Sequence, residues 1–346
     1  MEIRGLARLK RSVKRAAALL RPSVAILMYH RVHDAVTDPW DLCVSPAHFN
    51  EQMEYLRRHY AVLSLRKLTE LMAAGRLPRR AVVLTFDDGY ADNLSNAKPI
   101  LDRWDLPATF FVITGNLGQS REFWWDELSR LFLEAGSLPG TLNVRLNREI
   151  LGWELGDSAI YTDEECRRHS AWRANGKNDP TSRHAIIRAL NEQLYKLPEM
   201  EKRQILNQLF KWANASPEGR PSNRTLSPEE LISVEDGGLV DIGAHSVTHP
   251  VLSALPAAAQ RDEITQCKFQ LEEILGHTVS NFCYPHGAYT AETIALVRSA
   301  GFASACSVVS RAVDPDADPF QLPRIHTRDW DADEFGRQLR LSLNPD

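Results

Sequence analysis

Short apolar runs alternate along the chain with segments in which apolar residues recur every three to four positions. The short runs predict strands, and the longer periodic segments predict amphipathic helices. The predicted strands are Val24–Tyr29, Tyr60–Ser64, Ala81–Phe86, Thr109–Thr114, Leu239–Ala244, Val279–Tyr284, Phe302–Val309 and Leu322–His326. The predicted helices are Pro46–His59, Leu65–Ala74, Ala91–Trp104, Ser227–Glu235, Pro256–Leu275, Thr290–Ala300 and Asp331–Leu343. This alternation predicts an α/β fold with parallel strands and outer helices, as a barrel or a doubly wound sheet.

Residues 116–226 interrupt the alternation, because they contain few strand-like runs and two helical stretches, near 184–196 and 199–213. We interpret them as a mostly helical insertion between two strands of a barrel. The predicted organisation is a basic amphipathic N-terminal segment, a first part of the barrel, the insertion and a second part of the barrel, at residues 1–22, 23–115, 116–226 and 227–346.

Residues 1–21 combine many Lys and Arg residues with apolar residues at helical spacing. This pattern is typical of a solvated helix with one apolar face, and it also suits weak attachment to an anionic membrane surface. No apolar stretch typical of a secretory signal follows the charges, and no run is long enough to predict a transmembrane segment. We therefore expect a cytoplasmic protein whose basic segment could contact the inner membrane face.

The composition is that of a globular protein, with 346 residues of which 43% are hydrophobic. The net charge of −4 gives no general electrostatic reason for nucleic-acid binding, and we expect no nucleic-acid partner. The five cysteines are scattered without a CxxC pair, which argues against a disulfide scaffold or a thiolate zinc site. Any metal should therefore be bound by His and carboxylate side chains.

Two adjacent carboxylates, Asp87 and Asp88, directly follow the apolar run Val82–Phe86. In parallel α/β folds the carboxyl ends of the strands form the active-site face. Two neighbouring acids there repel each other unless a proton or a cation intervenes, and a metal bound to one would leave the other free as a base. A turn in which Asp caps the next helix explains the same pattern without a function.

A second predicted strand ends directly before His245, and His249 follows four residues later. One helical turn would place both imidazoles on one side, where two neutral nitrogens suit zinc or a similar divalent ion. A lone pair of histidines on a loop is often incidental. Because both motifs follow barrel strands, one Asp and two His together predict a metal site with positions open for water and substrate.

Residues 85–90 (TFDDGY) and 245–250 (HSVTHP) resemble the first two motifs of the NodB-homology polysaccharide deacetylases, carbohydrate esterase family four. The resemblance covers roughly residues 23–115 and 227–345. It implies a distorted (β/α) barrel.

The resemblance also implies site roles. Asp87 would be the general base, and Asp88, His245 and His249 would bind a divalent metal, with Zn²⁺ expected first and Co²⁺, Ni²⁺ or Mn²⁺ as alternatives.

Residues 282–287 (FCYPHG) resemble the third family motif, Arg-x-Pro-Tyr-Gly, with two departures. Cys283 stands where the family has an Arg that steadies the base, and we predict Arg324 as its substitute. His286 stands where the family has a Tyr whose backbone N–H helps form the oxyanion hole, and a backbone N–H survives a change of side chain. A strand that ends in a Pro-Gly turn is the alternative interpretation.

The general acid has two candidates. Residues 27–30 (LMYH) resemble the family's last motif, Leu-x-x-His, but precede the other motifs. This order is similar to the biofilm poly-N-acetylglucosamine deacetylases, whose domain is circularly permuted relative to the rest of the family. Since the first and last strands of a barrel are neighbours, we predict that His30 protonates the leaving nitrogen, with His326 as the rival.

The expected function is a metal-dependent hydrolase that removes N-acetyl groups from amino sugars of a polysaccharide, an oligosaccharide or a glycan precursor. Two alternatives remain. One is a different hydrolase with the same metal site, such as an O-acetyl esterase, a deformylase or an amidase. The other is a non-catalytic carbohydrate-binding relative, against which Asp87 argues, because binding requires no base.

Overall fold

A computed structural model describes residues 23–146 and 149–343, and the predicted basic segment 1–22 lies outside them. The strands are β1 Ser23–Tyr29, β2 Arg31–Val32, β3 Cys43–Val44, β4 Ala61–Leu63, β5 Arg79–Phe86, β6 Ala108–Val112, β7 Gly136–Ser137, β8 Thr141–Leu146, β9 Glu149–Glu154, β10 Ile160–Tyr161, β11 Val240–Ala244, β12 Asn281–Cys283, β13 Ser304–Cys306 and β14 Ile325–His326.

Eight parallel strands form the main sheet, in the spatial order β13-β12-β11-β6-β5-β1-β14, with β4 beside the first half of β5. All eight strands predicted from the apolar runs lie in this sheet. Residues just before β14 reach back to β13, since the Leu322 N–H donates to the Ala305 carbonyl and the Ser307 N–H donates to the Leu322 carbonyl. The sheet is therefore curled until its outer strands are linked, as a distorted (β/α) barrel.

The helices of the described residues are α1 Pro46–His59, α2 Leu65–Ala73, α3 Lys98–Trp104, α4 Trp124–Leu133, α5 Asp163–Arg168, α6 Ser182–Leu194, α7 Glu199–Trp212, α8 Pro228–Val234, α9 Ala257–Leu275, α10 Ala291–Ser299 and α11 Ala332–Leu343. The seven helices predicted outside residues 116–226 are confirmed. The helix predicted at Ala91–Trp104 begins as a π-helix at Asn93–Ala97 and continues as α3. Ser227 and Glu230 form a capping box at α8. None of these helices is long and apolar enough to cross a bilayer.

Side chains on the two faces of the barrel strands enter different apolar clusters. Val24 and Ile26 of β1 pack with Val83 of β5 and Phe111 of β6 inside the barrel. Alternate residues such as Leu27 and Leu84 belong to the larger cluster, which includes the helices. Burial on both faces explains why these strands are continuous apolar runs.

Residues 116–226 contain helices α4 to α7 and also an antiparallel hairpin of β8 and β9. The hairpin was not predicted, although residues 141–146 alternate between exposed and buried side chains, which is the two-residue period of a half-buried strand. These elements share a second apolar core, which Tyr90 and Ile113 join from the barrel side.

Candidate active site

Four non-glycine residues with left-handed backbone lie at the carboxyl end of the barrel. Their φ angles are 74° for Asp88, 64° for Ser246, 56° for His249 and 57° for His286. This conformation costs about 1–2 kcal/mol for a residue with a Cβ, and such strain is typical of functional sites. The turns after β5, β11 and β12 therefore carry strain where the predicted motifs lie.

Asp88, His245 and His249 form a buried cluster. Oδ1 of Asp88 lies 3.6 Å from Nε2 of His245 and 3.8 Å from Nε2 of His249. Two ligand atoms at about 2.1 Å from one ion can be at most about 4.2 Å apart, so these separations suit a shared divalent cation. The structure thus brings the three predicted ligands together, and metal binding remains a prediction.

Hydrogen bonding prepares His245 to act as a ligand. Its Nδ1 lies 2.9 Å from the Cys283 carbonyl oxygen, which can only accept, so Nδ1 carries the proton. Nε2 then presents a lone pair toward Asp88. Burial lowers the pKa of His245, and burial together with His286 lowers the pKa of His249 well below its usual value. Both imidazoles are therefore neutral, as metal ligands must be.

The pKa of Asp88 is shifted in the opposite direction. Burial and the neighbouring Asp87 raise its pKa well above the usual value of a carboxylic acid. A buried carboxylate without a cation is costly, and a divalent ion between Asp88 and the two imidazoles would remove that cost. The residues present therefore fit a divalent metal.

A second group, formed by Asp87, His245 and Cys283, is also close enough to hold a metal. Burial raises the pKa of the Cys283 thiol well above its usual value, so the thiolate needed for coordination is disfavoured. Asp87 is already bound to Arg324. The Asp88 cluster is therefore the better metal site.

Arg324 lies directly against Asp87. Its Nη1 and Nη2 each donate to one carboxylate oxygen at 2.7 Å, and Nη2 also lies 2.9 Å from Sγ of Cys283. Burial alone would raise the pKa of Asp87, but the charge and the hydrogen bonds of Arg324, together with the neighbouring histidines, outweigh burial, and the pKa lies below its usual value. The structure thus places Arg324 beside the Cys283 position, as predicted, and holds Asp87 ionised.

His30 directly follows β1 and His326 ends the neighbouring strand β14, and their ring centroids are 5.8 Å apart. His30 lines the cavity that contains Asp87 and Asp88, whereas His326 does not. Burial lowers the pKa of His30 to about 3, and its Nδ1 has no hydrogen-bond partner among the described residues. The geometry favours His30 as the residue that can reach a substrate, and both roles remain predictions.

His286 lines the same cavity as His30 and Asp87. Its ring lies 4.3 Å from the ring of His249 and 4.5 Å from the ring of Tyr195, measured between centroids. The turn that carries it, Pro285–Gly287, holds its backbone in the left-handed region. The predicted oxyanion donor therefore lies beside the candidate ligands.

These residues surround a cavity of about 280 Å³. The segment between the two halves of the barrel supplies part of its wall, through Trp124, Trp125, Asn191 and Tyr195. Asn191 and Tyr195 were not predicted, since nothing in the local sequence of α6 distinguishes them from other helix residues.

A buried network joins the cavity wall to helix α4. Nε1 of Trp125 donates to the Tyr90 hydroxyl at 2.8 Å, and that hydroxyl donates to Oδ2 of Asp126 at 2.7 Å. Burial raises the pKa of Asp126 to about 6. The network fixes Trp125, whose ring lies 5.4 Å from the ring of His249.

The fold and the cavity define a (β/α) barrel with a buried His/Asp cluster at the carboxyl ends of its strands. The model of the polysaccharide deacetylase family matches residues 74–137 and 197–305, which is half of the chain. The chain belongs to the polysaccharide deacetylase family, a family of hydrolases.

Individual relatives are more distant. The chain is 35% identical over 88 residues to a poly-beta-1,6-N-acetyl-D-glucosamine N-deacetylase of Staphylococcus aureus, which is 25% of this chain and 30% of that protein. The match therefore spans about a third of this curated relative.

Solved structures share the fold over most of the chain. The deacetylase PplD of Streptococcus pyogenes matches with a TM-score of 0.57 and 18% identity, over 93% of this chain and 99% of that one. IcaB from Ammonifex degensii matches with a TM-score of 0.56 and 18% identity, over 93% and 97%. At these identities the likeness supports the fold alone.

Proposed function

We propose that this protein is a metal-dependent N-deacetylase of amino sugars in a glycan. The observation that carries the proposal is the pairing of two acids with different roles in one cavity. Asp88 faces two neutral imidazoles, and the adjacent Asp87 is held ionised by Arg324. A metal ligand beside a free base is the arrangement that metal-assisted hydrolysis requires.

A divalent cation held by Asp88, His245 and His249 would supply Lewis acidity, lowering the pKa of a water and polarising the acyl carbonyl. Asp87 accepts the proton of the attacking water, and Arg324 keeps the carboxylate in place and ionised for that step. The backbone N–H of His286 donates to the developing oxyanion.

The leaving nitrogen takes its proton from His30. Burial lowers the pKa of this imidazole to about 3 and so keeps it neutral before substrate charge develops. Negative charge that develops on the substrate beside His30 would offset the burial, so that His30 takes up a proton from solvent before it donates one to the nitrogen. Breaking the C–N bond then releases acetate and a free amine.

The size and the lining of the cavity suit a sugar as the group that carries the acetamide. Its volume of about 280 Å³ lies near the lower end for ligand pockets, about 300–1,000 Å³. The indoles of Trp40, Trp124 and Trp125 line it and provide apolar faces for the C–H surface of a sugar ring. The matched Staphylococcus aureus relative is named for an N-acetylated glucosamine polymer, which supports this substrate class.

The test is acetate release from N-acetylglucosamine oligosaccharides by purified protein loaded with Zn²⁺. Release should depend on the metal, and Asp87→Asn should bind metal at the wild-type stoichiometry while losing about 10²–10⁴-fold in turnover. Formamido and O-acetyl sugars serve as comparison substrates, because faster release from either would favour the deformylase or the esterase. Absence of acetate release together with absence of stoichiometric metal would refute the proposal.

A further inference from the structure

A second cavity, of about 340 Å³, adjoins the candidate active site and shares Trp40 and Leu42 with it as a common wall. Nε1 of Trp40 donates to the Trp125 carbonyl at 3.1 Å and lies 2.9 Å from Oγ of Ser129. The shared wall is therefore fixed by hydrogen bonds. A ligand that extends beyond the first cavity past Trp40 would enter the second.

The charges that line the second cavity are unequal. Its two arginines are already engaged, since Nε of Arg31 lies 2.9 Å from Asp92 and Nη2 of Arg220 lies 2.7 Å from Glu122. Four carboxylates on its wall make no ion pair with any described residue. Asp38 accepts hydrogen bonds from the backbone N–H groups of Leu42 and Cys43, whereas Asp34, Asp126 and Asp163 have no backbone donor in the described part of the chain. The cavity thus presents an excess of negative charge to whatever it binds.

Asp126 points to a ligand independently of the other two acids. It is 5% exposed, and Oδ2 accepts a hydrogen bond from the Tyr90 hydroxyl at 2.7 Å. Its other carboxylate oxygen has no hydrogen-bond donor among the described residues. A carboxylate oxygen on a cavity wall, with so little solvent around it, calls for a donor or a cation from a ligand.

We propose that the second cavity binds a neighbouring sugar residue of the substrate in its deacetylated form, through the protonated amine. The proposal rests on the proposed function, because the first cavity must hold the N-acetylated residue. An ammonium group offers three donors and the opposite charge to Asp34, Asp126 and Asp163, whereas an acetamido group offers one donor and no charge. The enzyme would therefore favour a residue next to one that is already deacetylated.

The experiment compares four disaccharides of one linkage: the fully acetylated dimer, the two dimers with a single acetyl group, and the diamine. The wild-type protein should deacetylate one of the half-acetylated dimers with a kcat/KM about three- to tenfold above that of the fully acetylated dimer. The gain should appear mainly in KM and should shrink with rising salt, since it comes from charge.

The variant Asp34→Asn/Asp163→Asn tests the carboxylates, and both side chains are exposed, so the fold should tolerate the change. Its preference for the half-acetylated dimer should fall by at least half, and Asp126, which the variant keeps, accounts for what remains. The matched control is Asp262→Asn, an exposed carboxylate on α9 that lines neither cavity, and it should keep the wild-type preference.

Calorimetric binding of the diamine provides a readout without turnover, and the wild-type protein should bind it more tightly than the double variant. If acetate is released from all acetylated dimers with equal kcat/KM, or if the double variant keeps the preference, the second-cavity proposal is wrong and the proposed function stands. If no dimer releases acetate, the proposed function fails, and absence of diamine binding would then refute the second-cavity proposal separately.

Discussion

Asp87 and Asp88 are adjacent in sequence and equally buried, yet their surroundings separate their chemistry. Asp87 receives two hydrogen bonds from Arg324, whereas Asp88 faces only neutral imidazoles and its acidic neighbour. The arginine lowers the pKa of the first acid, and burial raises the pKa of the second. One residue is therefore kept as an ionised base, and the other gains most from a cation.

Arg324→Lys tests the first half of this separation. Lysine keeps the positive charge but cannot make the two parallel hydrogen bonds. It therefore offsets the effect of burial on the pKa of Asp87 less completely. The pKa of Asp87 should rise, and because the base works only when ionised, activity should be lost at a higher pH on the acidic side. We expect about a tenfold or greater fall in kcat, with the shift measured in the pH profile of kcat/KM. An unshifted acidic limb would show that Arg324 does not set the ionisation of Asp87.

His30→Ala and His326→Ala separate the two candidates for the general acid. His30 lines the cavity and His326 does not, so His30→Ala should lower kcat by about 10²–10⁴-fold. The matched variant His326→Ala should lower it by less than about tenfold. Steady-state rates on an N-acetylglucosamine oligosaccharide give the comparison, and a reversed order would make His326 the acid.

The sequence can predict where a candidate site residue lies when that residue directly follows a barrel strand. The carboxylates after β5 and the histidines after β11 are of this kind, because the carboxyl ends of parallel strands meet at one edge. Asn191 and Tyr195 are different, since they reach the cavity only because α6 packs against α4. The sequence likewise cannot predict that one carboxylate oxygen of Asp126 lacks a donor within the described chain, because this depends on the hydrogen bond from the Tyr90 hydroxyl to the other oxygen.

At the scale of elements, the turn Pro285–Gly287 positions His286 between the metal-ligand candidates and helix α6. Gly287 has φ 65°, and a Cβ at this position would overlap the side chain of Val308. An added Cβ would force the exposed side chain of Val308 to shift. The turn is therefore held by contact with the segment after β13 as well as by its own backbone.

Gly287→Ala should displace this turn. The left-handed backbone costs alanine about 1 kcal/mol or more, and the overlap with Val308 adds to that cost. We expect a lower kcat, because the backbone N–H of His286 moves away from the developing oxyanion, and a loss of about 1–3 kcal/mol in the free energy of unfolding.

Gly75→Ala is the matched control, since Gly75 has φ 64° but an added Cβ would meet no atom within 4 Å. It should show only the backbone cost and should keep the wild-type kcat. Denaturant unfolding and steady-state rates measure both effects. Equal losses of kcat in the two variants would show that the Val308 contact does not matter.

At the scale of the whole molecule, the barrel brings together residues from both ends of the chain. β1 pairs with β14, so His30 and Arg324 lie beside the motif after β5 although they are nearly 300 residues apart. The segment between the two parts of the barrel then covers one side of the site with α4 and α6. The sequence predicted the class of fold but not the order of the strands. Apolar runs indicate which residues are buried but not which strands are neighbours.

Metal binding should stabilise the whole molecule, because it compensates a buried carboxylate that the folded protein otherwise leaves without a cation. At a Zn²⁺ concentration about 100-fold above Kd, binding adds about 2.7 kcal/mol, which raises Tm by about 4 °C for a chain of this size. His249→Ala should remove most of this increase, whereas Cys283→Ser should keep it, because Cys283 belongs only to the alternative cluster. Thermal unfolding of the metal-free and Zn²⁺-loaded proteins measures the shift. If Cys283→Ser loses the increase and His249→Ala retains it, the metal lies at the alternative cluster, and the roles of Asp87 and Asp88 must be exchanged.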